Sequence, residues 1–237
     1  MQVIVYDLET TVIYKKGQTQ EIVEIGAVKF DLDQLDISAE KQFQKFVFPP
    51  LRGYFDNRTR KFAGITDENV ASAVTFRQAF TDFIEWMGSD YYICSWGPDD
   101  KRLLMEHCAR FGVTFNWLRN YNDVQPPISM LLVDRQQMGL NKAIEMSGLE
   151  TLGRLHSALD DARNTAAVLK KYLDKIELKT NVPDDHFGDS CQLYLTCKKC
   201  GTEKMYGEMS RRRGVCSACV KKYYQRPNQN PNQPSSE

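Results

Sequence analysis

Two short segments hold the side chains of this sequence that could do chemistry together. YDLETT places Asp7 and Glu9 two residues apart at the end of the apolar run Val3 to Tyr6. In a strand that spacing puts both carboxylates on one face. HSALDDARN, much later, places His156 five residues before Asp161. Converging carboxylates suit Mg²⁺ or Mn²⁺, hard ions that take oxygen ligands and leave positions for water and phosphate. Two such ions about 4 Å apart can serve the attacking water, the phosphoryl oxygens and the leaving 3′ oxygen of a phosphodiester. A histidine with an ordinary pKa of about 6.5 suits the base that deprotonates the water.

A third acid comes from Asp99 or Asp100. Asp100 stands three and four residues before Leu103 and Leu104 and shares their inward helical face, whereas Asp99 suits the N-cap or first turn. Asp100 is therefore taken as the site residue. Ser157 with Asp160 forms a candidate capping box ahead of Asp161, which leaves Asp160 the local role.

The elements that must position these groups read as mixed α/β up to about residue 178. Strands are expected at 2–7, 21–31 and 42–48 as a meander stopped by Pro49 and Pro50, and at Tyr91–Ser95. Thr75 with Gln78 predicts a capping box opening a helix whose Phe76, Ala79, Phe80, Phe83, Ile84 and Met87 form a core stripe. Further helices are expected at Asp99–Phe111, 126–138, 141–147 and 157–175. With 42% hydrophobic residues the chain can bury one substantial core and carry a small second module. Neither a leader nor an 18-residue apolar run is visible, so a membrane partner is not expected and a cytoplasmic location is.

Cys197, Cys200, Cys216 and Cys219 form two C-x2-C pairs, the spacing of two knuckles gripping one Zn²⁺. So small a module gains its stability from the metal. The formal charge of the chain is +0, yet residues 197–226 hold nine Lys or Arg against two acids. That segment carries +7 and the rest −7. Arg211, Arg212 and Arg213, with Lys221, Lys222, Tyr223 and Tyr224, combine phosphate-neutralising cations with rings that stack on bases, which suits a single strand. Cys94 and Cys108 read as buried hydrophobes and Cys191 has no assigned partner.

YDLETT, FAGIT, SWGPDDKRLL and GRLHSALDDARNTAAVL, in that order over residues 1–178, resemble the DEDDh, or DnaQ-like, 3′–5′ exonucleases. They are most similar to the branch of KapD-type proteins and histone-mRNA and small-RNA 3′ exonucleases. Ser157 stands where the tyrosine subclass has its tyrosine. The resemblance implies a ribonuclease-H-like mixed five-stranded sheet flanked by helices. It implies Asp7, Glu9, Asp100 and Asp161 as ligands of two Mg²⁺ or Mn²⁺, His156 as general base, and Thr10, Gly64, Ile65 and Thr66 as substrate contacts. The expected organisation is an exonuclease domain at 1–178, a linker at 179–194, a zinc-ribbon module at 195–226 and a disordered tail at 227–237. The expected partner is a single-stranded 3′ end, RNA rather than DNA by the same resemblance, with the ribbon gripping the strand or docking a protein. A binding adaptor with negligible turnover and a docked proofreading or trimming subunit are the competing readings.

Overall fold

Strand β1 (Gln2–Thr10) is the middle strand of a five-stranded sheet that also contains β2 (Ile22–Asp31), β3 (Gln42–Phe46), β4 (Tyr91–Ser95) and β5 (Tyr121–Asp123). Their order is β3-β2-β1-β4-β5. The first three strands form the antiparallel meander, and β4 and β5 run parallel to β1. This is the mixed sheet the resemblance implies, with helices α1 (Asn57–Ala63), α2 (Asp67–Ser72), α3 (Phe76–Met87) and α4 (Asp99–Phe111) between its strands and α5 (Gln125–Val133), α6 (Leu140–Met146) and α7 (Ala158–Tyr172) after β5. The computed structural model describes residues 1–32, 41–135, 137–180, 186–187, 193–205, 208–209 and 215–224.

The two faces of β1 have different work. Val3 and Val5 join Val28 and Phe30 of β2 in a core with Ala166, Val168, Leu169 and Tyr172 of α7. On the other face Tyr6 meets Phe83 of α3, ring centroids 6.3 Å apart. Because side chains alternate along a strand, Asp7 and Glu9 continue the face of Val3 and Val5. The apolar ladder under α7 thus ends in acids.

α7 reaches that end of the sheet because Gly26 lies beneath it. Gly26 pairs with Asp7, and a Cβ built there would stand 2.0 Å from the Leu159 nitrogen and 2.1 Å from the Ala158 carbonyl carbon. Those atoms are helix backbone and cannot rotate away. The missing side chain therefore sets how close the first turn of α7 comes to the strands.

Several expectations need correction. β3 ends at Phe46 rather than Phe48, and α5 ends at Val133, where Asp134 turns left-handed at φ 54°. The box at Thr75 is one-sided: Thr75 Oγ1 accepts the Gln78 amide, but the Gln78 side chain donates to Asp82 one turn on. α1, α2 and β5 were not anticipated, being too short to show a period. Their limits come from local bonds: Asp56 caps α1 and left-handed Gly64 ends it, while Thr66 and Asn69 form a reciprocal capping box on α2.

The chain divides into two units, Met1–Asp184 and Asp185–Glu237. The second contains β6 (His186–Phe187), β7 (Leu193–Thr196) and β8 (Glu203–Met205) in an antiparallel sheet, and α8 (Ser217–Tyr224). β6 and the start of β7 fall within the stretch read as a linker. Arg211, Arg212, Arg213, Cys191 and the tail 227–237 lie outside the described residues. Among the described residues no helix is long and apolar enough to cross a membrane.

Gly26→Val should lift α7 off the sheet and destabilise the first unit by about 3 kcal/mol or more, as overpacking against rigid backbone does. Denaturant unfolding of the variant beside the native protein measures the loss, and unchanged stability would show that α7 is not seated on Gly26.

Candidate active site

Glu9 is buried at the end of β1, opposite the fully buried Glu24 of β2. The pairing register shifts directly after Glu9, a bulge of the kind that re-aims side chains beside functional sites. Glu24 accepts the Gln44 side-chain amide at 2.7 Å and the amide of Leu159 at 3.4 Å, with Ala158 contributing a second α7 amide. A strand carboxylate therefore meets the positive end of α7. The expected Ser157–Asp160 box is absent, because Ser157 makes no capping bond and Asp160 accepts the Arg154 amide and the Arg163 guanidinium instead. Glu24 escaped the sequence reading, although one acid inside the apolar run IVEIGAV was a visible signal.

Asp100 sits in the first turn of α4, directly beyond β4. The turn before it is fixed by Ser95 Oγ donating to the Gly97 carbonyl at 2.8 Å and by the Gly97 amide donating to Asp123 at 3.0 Å. β1 runs past the end of β4, and the Leu8 amide, free of a strand partner on that side, donates to the Asp100 carboxylate. Asp99 points outward, 83% exposed and paired with Arg102. The face argument separated the two acids as the structure does.

Asp161 is buried in the first turn of α7, and its Oδ2 accepts the His156 amide at 2.9 Å. Its Oδ1 is buried without a hydrogen bond. His156 is held at φ 62°, which few non-glycine residues adopt without a reason. Ligand atoms of Glu9, His156 and Asp161 all lie within 4.8 Å of one another. Asp7 joins this group electrostatically: burial pushes its carboxyl well above the ordinary value, and the charges of Asp100, Asp161, Glu9 and Glu24 push the same way. Burial raises Glu9 to about 8, with Glu24, Asp161 and Asp100 adding to it and Arg154 opposing. Asp100 is raised to about 7, mainly by burial. So many carboxyls held against ionisation, with Asp161 Oδ1 and Glu24 Oε2 both buried and unpartnered, form a site that divalent cations would relieve, and the donors fit Mg²⁺ or Mn²⁺.

The other expected contacts are more dispersed. Thr10 Oγ1 accepts the Gln20 side chain at 3.3 Å. Gly64 ends α1, Ile65 is buried with Val23, Phe55 and Ala63, and the Thr66 hydroxyl caps α2.

In the second unit Cys197, Cys200, Cys216 and Cys219 bring their sulfurs within 4.8 Å of one another. Gly201, at φ 67°, donates its amide to the Cys197 carbonyl at 2.8 Å, and the Cys216 amide donates to Cys197 Sγ at 3.2 Å. Amide donors, that of Cys216 foremost, lower the Cys197 thiol to about 6. Four thiols, with Cys200 also lowered by the Thr202 hydroxyl and amide, fit a structural Zn²⁺ site.

The sequence profile of the family described as Exonuclease (RNase_T) matches residues 4–169. The 3′-5′ exoribonuclease 1 of Rattus norvegicus is 29% identical over 174 residues, which are 68% of this chain and 49% of that protein. A PolC-type DNA polymerase III of Clostridium perfringens is 27% identical over 182 residues, 76% of this chain and 12% of the polymerase. The chain thus spans less than half the length of either relative. Among solved structures, the nuclease domain of 3′hExo, a DEDDh family member bound to rAMP, superposes with a TM-score of 0.66 at 25% identity, covering 76% of this chain and 96% of that domain. The fold is the ribonuclease-H-like one.

The raised carboxyls make stability depend on pH. Protons that the unfolded chain loses above about 4 remain on Glu9 until about 8 and on Asp100 until about 7, so metal-free protein should lose stability as pH rises through that window, by a few kcal/mol. Thermal unfolding in EDTA should show a lower melting temperature at about pH 8 than at about pH 5, a smaller drop in Asp7→Asn, and a larger gain from Mg²⁺ or Mn²⁺ at the higher pH.

Proposed function

The chain belongs to the exonuclease family, and on that footing we propose that it is a divalent-metal-dependent 3′–5′ exonuclease releasing nucleoside 5′-monophosphates from single-stranded 3′ ends. The observation that carries this reading is the convergence of Glu9, His156 and Asp161 beside Asp7 and Asp100, with Asp161 Oδ1 buried and unpartnered. When bound, two Mg²⁺ or Mn²⁺ ions acidify water and offset charge on the phosphoryl oxygens. Asp7, Glu9, Asp100 and Asp161 would hold them by carboxylate oxygens. His156, exposed beside Glu9 and Asp161, takes the proton of the attacking water on a ring nitrogen. Thr10, Gly64, Ile65 and Thr66 would contribute the contacts to the terminal nucleoside.

RNA is the favoured substrate. The rat relative is named an exoribonuclease and the 3′hExo domain is bound to a ribonucleotide. The polymerase relative supports a second reading, a proofreading or trimming subunit acting on DNA. Residues 1–178 would form the exonuclease domain and 195–226 a module folded around one Zn²⁺. In that module Lys199 and Lys222 place their ammonium groups 5.0 and 5.3 Å from the Tyr223 ring centroid, a basic and aromatic surface suited to a single strand; Arg211, Arg212 and Arg213 would extend it. A protein partner docked there would instead bind without nucleic acid and persist at high salt. Metal-ligating thiolates suit a reducing compartment such as the cytoplasm.

A time course on 5′-labelled single-stranded RNA and DNA of matched sequence tests the proposal. A ladder shortening from the 3′ end is expected with Mg²⁺ or Mn²⁺ and none with EDTA. Asp7→Ala and His156→Ala should each reduce the rate by about 100-fold or more while sparing strand binding. Cys200→Ser should release Zn²⁺ and weaken strand binding, leaving short-substrate hydrolysis intact. Intact substrate under every metal condition would favour a binding adaptor, and hydrolysis by Asp7→Ala in EDTA would refute the metal mechanism.

A further inference from the structure

The last carbonyls of a helix have no partner within it, and at the end of α1 those of Lys61 and Phe62 are both taken by one nitrogen of Arg154, Nη2, at 2.8 Å each. The guanidinium fits there because residue 64 is glycine: a Cβ on Gly64 would stand 1.4 Å from Arg154 Nη1. Its backbone is tied in the opposite direction. The Arg154 amide donates to Asp160 Oδ2 at 2.8 Å, and the Asp160 carboxylate, fixed also by Arg163, lies over Gly153, where a Cβ would meet it at 2.2 Å. Arg154 is thus bonded to α1 through its side chain and to α7 through its main chain.

Two residues on, His156 holds its left-handed backbone with its amide on Asp161. Its ring stacks on Phe62, centroids 4.3 Å apart and planes 29° from parallel. Phe62 is 46% exposed and contributes little to the core, so this contact is its principal use. The residue whose carbonyl Arg154 grips is therefore the residue against which the histidine ring lies.

We propose that Arg154 is a positioning residue that clamps the end of α1 to the histidine loop, and that Phe62, held by this clamp, sets the orientation of the His156 imidazole. The inference rests on the reading of His156 as the proton acceptor. It separates the geometry of Arg154 from its charge, since lysine keeps a cation near Glu9 but lacks the planar fork.

Steady-state hydrolysis of single-stranded RNA by Arg154→Lys, Phe62→Leu, Phe62→Tyr and His156→Ala, and by the Arg154→Lys/His156→Ala double variant, tests this. Arg154→Lys and Phe62→Leu should each lower kcat by about tenfold or more, as small misplacements of a catalytic group do, with KM within about twofold. Phe62→Tyr should restore the rate. On the residual rate of His156→Ala, Arg154→Lys should have no further effect; a full multiplicative loss there would overturn the proposal. A second readout needs no activity. The ring protons of His156, assigned by their absence in His156→Ala, should be shifted upfield by Phe62 in the NMR spectrum and move toward free-imidazole positions in both Phe62→Leu and Arg154→Lys. Signals unmoved by Arg154→Lys would also overturn it. A native protein that leaves RNA and DNA intact would refute the exonuclease reading, and the spectrum would still decide the clamp.

Discussion

The first turn of α7 lies so close to β2 that only a residue without a side chain fits beneath it, and the site depends on that approach. Gly26 pairs with Asp7 and faces the backbone of Ala158 and Leu159. With the helix seated there, Asp161 comes within ligand distance of Glu9, and the loop entering the helix brings His156 to the same place. A larger residue at 26 would move one acid and the histidine away from the two acids that β1 carries. The apolar packing of α7 on Val3, Val5, Val28 and Phe30 supplies the energy of the contact, and glycine sets its distance.

That seating concentrates negative charge that the fold offsets only in part. Glu24 faces the amides that open α7, so a strand carboxylate does what Ser157 does not. Asp161 takes the His156 amide and Asp100 the Leu8 amide. Even so, Asp7, Glu9, Asp100, Glu24 and Asp161 are all raised above ordinary carboxyl values, with burial the leading cause for each. A cluster this costly to ionise fits a function that brings cations to it.

The parts of this arrangement legible in sequence were those with long periods or paired spacing. The apolar run before Asp7 and Glu9, the core stripe of α3 and the two cysteine pairs each repeat a local pattern that the fold preserves. Asp100 could be chosen over Asp99 because one helical face separates them. What stayed hidden depends on long-range contact. Glu24 as the partner of a distant helix end, Arg154 across α1, and Asp123 behind Gly97 are set by tertiary neighbours that no local window contains. α1 and α2 were missed because seven and six residues show a cap more clearly than a period. The two expected capping boxes failed for a related reason: each side chain had a better partner, Asp82 for Gln78 and the residues around Arg154 for Asp160.

The central claim is that these carboxylates are a binuclear metal site. Anomalous diffraction at the manganese edge, from crystals grown with Mn²⁺ and a nucleoside 5′-monophosphate, addresses it directly. The account predicts two peaks about 4 Å apart among Asp7, Glu9, Asp100 and Asp161. A single peak held elsewhere, or none at saturating Mn²⁺, would contradict it.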